Sequence, residues 1–201
     1  MITKKTIPDV FIIESLSRGD EKKKRYEGLI LSDILRLGGK KPKYYYCDSI
    51  QEFPQVIDLF HASRYRYLHI SSHASDDAIT IGRKEIPYNK FSSYFKGILN
   101  NKRLFLSSCS SGNENFSSSM IKHNPDMYSI VAPEDDIYFS DAAAIWSALY
   151  TSLFGSDDSS IRSKDIEGTL SVLTELFPVS FFVSKRSTRN NTWTHRSISP
   201  T

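Results

Sequence analysis

Two residues able to carry nucleophilic catalysis stand at matching places in this chain. His73 follows the stretch Tyr67-Leu68-His69-Ile70-Ser71-Ser72, and Cys109 follows Arg103-Leu104-Phe105-Leu106-Ser107-Ser108. Each stretch reads as an apolar strand running into small residues. Open α/β sheets gather their active sites at the carboxyl ends of their strands. Covalent catalysis by a thiol needs a thiolate, a base and donors for the oxyanion, brought together from different segments. Cys109, at a strand end ahead of a helix amino terminus, has its thiolate favoured by nearby N–H groups and the helix dipole. The small residues Ser107, Ser108, Ser110, Ser111 and Gly112 let a substrate backbone approach closely, and the Cys109 N–H is a candidate oxyanion donor. The plainer alternative is a buried structural cysteine.

His73 is the candidate base, or the cationic half of an ion pair formed before substrate arrives; its plainer role is a polar residue in a surface turn. His69 competes with it but lies within the strand, so it is expected to be packed or hydrogen-bonded. His61, His123 and His195 lack a comparable context, and no residue stands out as a third member orienting His73. Glu14, at the end of the first strand, and Asp135, Asp136 and Asp141, after the fifth, are candidate substrate-binding carboxylates at the same sheet edge. Helix capping or a solvated loop is the plainer role for each. Two other chemistries fail on inspection. A cysteine phosphatase needs an arginine six positions after its cysteine to cradle phosphate, and that position is Asn115. A nucleotide-binding domain needs a glycine-rich turn after the first strand, whereas Glu14-Ser15-Leu16-Ser17-Arg18-Gly19 has one glycine.

The elements that must position these residues alternate. Asp9–Glu14 is a short apolar run and a buried first strand. Ser15–Lys24 is polar and basic, a solvated loop entering a helix. Apolar positions Leu29, Ile30, Ile34, Leu35 and Leu37 recur at helical spacing, with Gly38-Gly39 as the stop. Lys43–Cys47 is a second strand. Asp48 or Ser49 caps a helix to about Ala62, with Glu52 completing a capping box and Pro54 in the first turns. Tyr67–Ser72 is the third strand. Ala78–Gly82 with Lys84–Pro87 predicts a hairpin, and Tyr88–Leu99 a helix. Leu104–Ser107 is the fourth strand; a helix follows from Gly112 and Asn113 to about Lys122. Tyr128–Ala132 is the fifth strand. Phe139–Phe154 is the most apolar helix, and Ser163 or Lys164 to Phe177 another, followed by a last strand at Ser180–Ser184. Residues 188–201 form a polar tail, mobile or an extension of that strand. Strands alternating with helices predict a single α/β domain over residues 1–187, its mainly parallel sheet covered by helices on both faces.

Composition sets outer bounds. At 201 residues the chain suits one well-buried domain. A formal net charge of +3, spread along the chain, gives no basis for direct nucleic-acid binding. The two cysteines, Cys47 and Cys109, have neither metal-site nor disulfide-framework spacing, which suits a reducing cytosol. No leader pattern stands at the start, and no apolar run approaches the roughly 18 residues of a membrane span, so a cytoplasmic protein is expected.

The segments His73-Ala74 and Ser107-Ser108-Cys109-Ser110-Ser111-Gly112 resemble those of the caspase-like (clan CD) cysteine peptidases, and within them the bacterial CHAT domains related to caspases and separase. Their histidine strand ends in His-Gly, and their cysteine strand ends in a small pair followed by Cys-x-Ser-Gly. Here His73 precedes Cys109 by 36 residues (109 − 73), and the insert has that family's hairpin-plus-helix look. The resemblance spans roughly Pro8 to Ser187 and implies a caspase-like fold, a cysteine endopeptidase acting on a protein substrate through a His73–Cys109 dyad, and no cofactor. It further implies an oxyanion site built from the backbone N–H groups of Ala74 and Cys109. The family's glycine after the histidine is Ala74 here, which keeps the donor but restricts the backbone. Metacaspases hold a basic P1 side chain with an aspartate two positions before the nucleophile; that position is Ser107, so no P1 residue is assigned. CHAT domains often serve larger systems, including bacterial defence, which implies a partner or sensor protein that activates the enzyme, or self-processing within Ser156–Lys164 or Ser75–Lys84. A catalytically silent caspase-like module used for protein binding is the alternative.

Overall fold

The computed structural model describes residues 6–201. Strand β1 (Ile7–Glu14) leads into the short helix α1 (Arg18–Lys22) and then α2 (Glu27–Leu37), β2 (Lys43–Tyr46), α3 (Phe53–Ser63) and β3 (Tyr65–Ser71). A hairpin of β4 (Ala78–Ile81) and β5 (Lys84–Pro87) precedes α4 (Tyr88–Ser93), β6 (Arg103–Ser107), α5 (Glu114–His123) and β7 (Ser129–Pro133). The chain finishes with α6 (Phe139–Ser156), α7 (Ser163–Leu176), β8 (Phe181–Arg186) and β9 (Trp193–Ile198).

The seven-stranded sheet has the order β2-β1-β3-β6-β7-β8-β9. Its first five strands are mutually parallel, and β8 and β9 add antiparallel pairings at one edge. The α/β architecture with a mainly parallel sheet between two helical layers is thus the one expected. Alternation along each buried strand explains the layers, because successive side chains point to opposite faces. Phe11 and Ile13 of β1, with Leu104 and Leu106 of β6, join α3, α4 and α5 in one core. Val10 and Ile12, with Phe105, join α2, α6 and α7 in the other, where Trp146 is fully buried.

Three local expectations change. Helix α3 begins at Phe53, not at Asp48 or Ser49: residues 49–52 form a turn in which the Glu52 N–H reaches the Ser49 hydroxyl at 3.3 Å, and Pro54 occupies the first helical turn where its missing N–H costs least. Helix α4 ends at Ser93, and Tyr94–Leu99 continue as turns that still bury Phe95 and Leu99. The polar tail of residues 188–201 carries β9, which pairs antiparallel with β8 from Phe181 to Arg186. Five of its six residues are partly or fully exposed, so edge pairing rather than an apolar period holds it. Among the described residues no helix is long and apolar enough to cross a membrane.

Candidate active site

The site forms because β1, β3 and β6 lie side by side and point the same way. Glu14 is opposite Ser71, and Ser71 is opposite Ser107, so the chain leaves all three strands at one edge. Leaving β3, it delivers His73; leaving β6, it delivers Cys109; leaving β1, it enters α1. His73 and Cys109 line one small cleft of about 40 Å³, closed by Ser71, Ser107, Ile137 and Phe139. Both are partly exposed. The His73 ring meets Phe139 edge-on with centroids 5.9 Å apart, and the Arg25 guanidinium lies 5.5 Å from the same Phe139 ring.

His73 has a carboxylate partner that sequence reading missed. Its Nε2 lies 2.8 Å from Oδ2 of Asp20, the third residue of α1. Asp20 also accepts from the Ser17 hydroxyl at 2.5 Å and from Arg25 at 3.0 Å. Burial acts to raise the Asp20 carboxyl, but the bonds from Ser17, His73 and Arg25 outweigh it and hold the group below the ordinary aspartate range. An ionised Asp20 fixes hydrogen on Nε2 and leaves the lone pair on Nδ1. A signal for Asp20 was present: Ser17-Arg18-Gly19-Asp20 is a capping-box pattern directly after the first strand, and the Ser17 hydroxyl does accept from the Asp20 N–H at 3.2 Å. The run of lysines and Arg25 around it made the segment read as a solvated loop.

Cys109 sits in the turn between β6 and α5. Its thiol points to the Ile137 carbonyl at 3.7 Å. The turn is held from β7 and the loop beyond it: the Ser110 N–H donates to the Asp135 carbonyl at 3.2 Å and the Gly112 N–H to the Pro133 carbonyl at 2.6 Å. Ser110 takes a positive φ of 51° in making this turn. Helix α5 starts at Glu114, and the Asn113 side chain caps it by accepting from the Phe116 N–H. The amino end of α6, which has no side-chain cap, is the one beside the cleft, through Phe139.

Both backbone donors named above are unengaged among the described residues. Ala74 forms a bridge with Ile79, but its hydrogen bonds run from Ser75 N–H to Ala78 and from Thr80 N–H to His73, bypassing the Ala74 N–H. The Cys109 N–H makes none of the turn's hydrogen bonds.

Of the other candidate residues, Ser107 lines the cleft and the carboxylates do not. Asp135 accepts from the Ser180 N–H at 2.9 Å, and Asp136 accepts from the Ser110 hydroxyl at 3.3 Å, so both brace loops. Asp141 lies in the first turn of α6 and accepts from Ser140 at 3.2 Å. Glu14 is fully buried, where it accepts from the Gly28 N–H at 2.8 Å and the Tyr44 hydroxyl at 2.7 Å. His69, as expected, is packed inside: it is fully buried between Trp146 and Tyr150, with Nε2 3.6 Å from Glu27.

Glu14 yields a pH prediction. Desolvation pushes its carboxyl up to about 7, against the opposing bonds from Tyr44 and Gly28. Below the unfolded value near 4.5 the group is neutral in both states. As pH rises the unfolded chain ionises first, so stability is lost up to about pH 7 and stays lost above it. Glu14→Gln cannot ionise. Between about pH 4 and pH 8 the difference in unfolding free energy will therefore move in the variant's favour by on the order of 3 kcal/mol, read by urea unfolding at both values. A pH-independent difference would show that burial leaves the Glu14 carboxyl at its unfolded value.

Taken together, the fold and this edge define a class: an α/β protein of the caspase-like fold. The solved structures that match include the secreted C11 cysteine protease "iotapain" of Bacteroides thetaiotaomicron, at a TM-score of 0.55 and 7% sequence identity, covering 90% of this chain and 67% of that one. At that identity the likeness is one of fold. No protein-family model matches the chain. No curated protein matches it by sequence.

Proposed function

We propose that this protein is a caspase-like cysteine endopeptidase of the CHAT type, in which Cys109 attacks the scissile carbonyl, His73 moves the proton and Asp20 orients His73. The observation that carries this reading is the convergence of a thiol, an imidazole and an ionised carboxylate on one edge of a peptidase fold, with the His73–Asp20 contact at 2.8 Å. In the reaction the Cys109 thiol gives its proton to His73, and sulfur bonds to the carbonyl carbon. The carbonyl oxygen takes the negative charge between the N–H groups of Ala74 and Cys109. The imidazolium, stabilised by Asp20, then protonates the leaving amine, and water releases the acyl group from sulfur.

Regulation forms part of the proposal. A cleft of about 40 Å³ is far below the 300–1,000 Å³ typical of ligand pockets. The loops around it must open before a peptide enters, which fits activation by a partner protein or by self-processing. Ser156–Lys164, whose residues 157–162 link α6 to α7, is the more open candidate, because Ser75–Lys84 holds the hairpin's first strand. Ser107, not an acid, lines the cleft, which favours an uncharged P1 side chain over a basic one. Cys47 and Cys109 are both free thiols, in keeping with a reducing compartment such as the cytoplasm, and a role in bacterial defence belongs to the same reading.

A peptidyl acyloxymethyl ketone library with varied P1 residues tests it. The expected result is a mass adduct on Cys109, formed with the full chain or after addition of proteins encoded beside it, together with cleavage of the matching peptides. A folded protein that neither labels nor cleaves under any of these conditions would transfer the case to a catalytically silent binding module.

A further inference from the structure

At the opposite edge of the sheet lies a cavity of about 420 Å³ whose walls carry four arginines and no acid. Arg66 comes from the start of β3, Arg103 from the start of β6, Arg162 from the residue before α7, and Arg186 from the end of the antiparallel β8. The parallel order of the strands and the reversed direction of β8 thus bring four distant sequence positions to one place. Ser163 opens α7, a 14-residue helix without a side-chain cap, and its first turn also faces the cavity.

The charge there is only partly balanced. Arg162 pairs with Asp165 at 2.6 Å and Arg186 with Asp126 at 2.6 Å. Arg66 and Arg103 have no carboxylate within 4.0 Å among the described residues, and residues 1–5 contain no acid. Arg103 is 8% exposed and, among the described residues, donates only to the neutral hydroxyls of Ser129 at 2.8 Å and Ser163 at 3.0 Å. Burial draws its guanidinium down to about 10. The Arg186 side chain is 10% exposed, and its Nε has no hydrogen-bond partner among the described residues. A buried guanidinium without a counter-charge is costly, because desolvation is not offset by an ion pair. An anion in the cavity supplies what Arg103 lacks and an acceptor for Arg186 Nε.

We infer that this cavity binds a small molecule carrying two or more phosphate groups. Guanidinium forks fit phosphate oxygens two at a time; with the Arg162 fork taken up by Asp165, the uncompensated charges of Arg66 and Arg103 and the Arg186 Nε together suit more than one phosphate. The uncapped first turn of α7 adds N–H donors and the positive end of its dipole. A volume of about 420 Å³ falls in the range of small-molecule pockets. The inference is independent of the peptidase reading, since the cavity is roughly 20 Å from Cys109 along β6 and its neighbouring turns.

The test is calorimetric titration of the full chain with inorganic tripolyphosphate at constant ionic strength, beside sulfate and a single-stranded oligonucleotide. The expected result is saturable 1:1 tripolyphosphate binding, at least tenfold tighter than sulfate, with a raised Tm. Arg66→Gln, at a half-buried position, should weaken binding at least tenfold, and Arg103→Gln more if it folds. Arg36→Gln, on the exposed side of α2, should leave binding unchanged. Equal affinity for sulfate, or undiminished binding by a folded Arg66→Gln, overturns the inference. Oligonucleotide binding that tripolyphosphate does not compete away also overturns it, pointing to a nucleic-acid backbone instead.

Discussion

On the proposed peptidase mechanism, Cys109→Ala will reduce peptide cleavage to background, by at least about 1,000-fold, while Asp20→Asn will retain a residue of activity about 100-fold below the wild type. The two differ because they remove different things. Cys109→Ala deletes the atom that bonds to the substrate in the proposed mechanism, and no other thiol is at the cleft: Cys47 is fully buried, and burial pushes its thiol up to about 11. Asp20→Asn leaves the thiol and the imidazole in place but removes the charge that stabilises the imidazolium and holds hydrogen on His73 Nε2. Its loss should therefore fall in kcat, with KM changed by about twofold or less. Titration with a peptidyl ketone separates this from misfolding: the Asp20→Asn protein should contain as many titratable Cys109 thiols as the wild type, reacting more slowly. His73→Ala should be as inactive as Cys109→Ala. If Asp20→Asn proves as active as the wild type, Asp20 braces α1 and takes no part in proton transfer.

The second large effect is expected at Gly112. A Cβ there would stand 2.6 Å from the Ala132 carbonyl oxygen and 2.7 Å from both the carbon and oxygen of the Pro133 carbonyl. All are backbone atoms in or at the end of β7, so no side-chain rotation relieves the overlap. The Gly112 N–H bond to Pro133 also ties the Cys109 turn to that strand. Gly112→Ala must push the turn away from β7, at a cost of about 3 kcal/mol, which corresponds to a Tm lower by roughly 6–12 °C for a chain of this size. The turn carries Cys109, the proposed nucleophile. A displacement near 1 Å should reduce kcat by on the order of 100-fold in whatever fraction remains folded. Gly168→Ala provides the contrast. It lies within α7 with nothing inside 4 Å of a new Cβ, and should stabilise the protein by about 0.5–1 kcal/mol. Thermal denaturation of both variants and peptide cleavage by Gly112→Ala check the pair. A Gly112→Ala protein with unchanged Tm would mean that β7 yields at its carboxyl end.

Particular residues show where sequence reading carries and where it stops. His73 and Cys109 were legible because each follows a buried strand, and a run such as Leu104-Phe105-Leu106 announces itself through its own apolar residues. The order of strands and helices, and the placement of His69 inside the protein, followed from the same short-range pattern. Asp20 was not legible as a partner of His73, although 53 residues separate them in a chain whose two relevant strands were both identified. What was missing was adjacency: only the pairing of β1 directly beside β3, with Glu14 opposite Ser71, brings the segment after one strand against the segment after the other.

The same reason covers Glu14, which stands at the strand's end as expected, yet points into the α2 side of the sheet toward Gly28 and Tyr44. It also covers the four arginines at the other edge, scattered from Arg66 to Arg186 and joined only by sheet order. Periodicity and residue type are properties of neighbours along the chain, so the sequence alone determined the elements, the sheet class and the standing of His73 and Cys109 at the ends of two of its strands. Which side chains face one another depends on strand order and register. The tertiary structure decided the carboxylate behind His73, the lining of the cleft by Ser107 in place of a carboxylate, and the basic cavity at the opposite edge of the sheet.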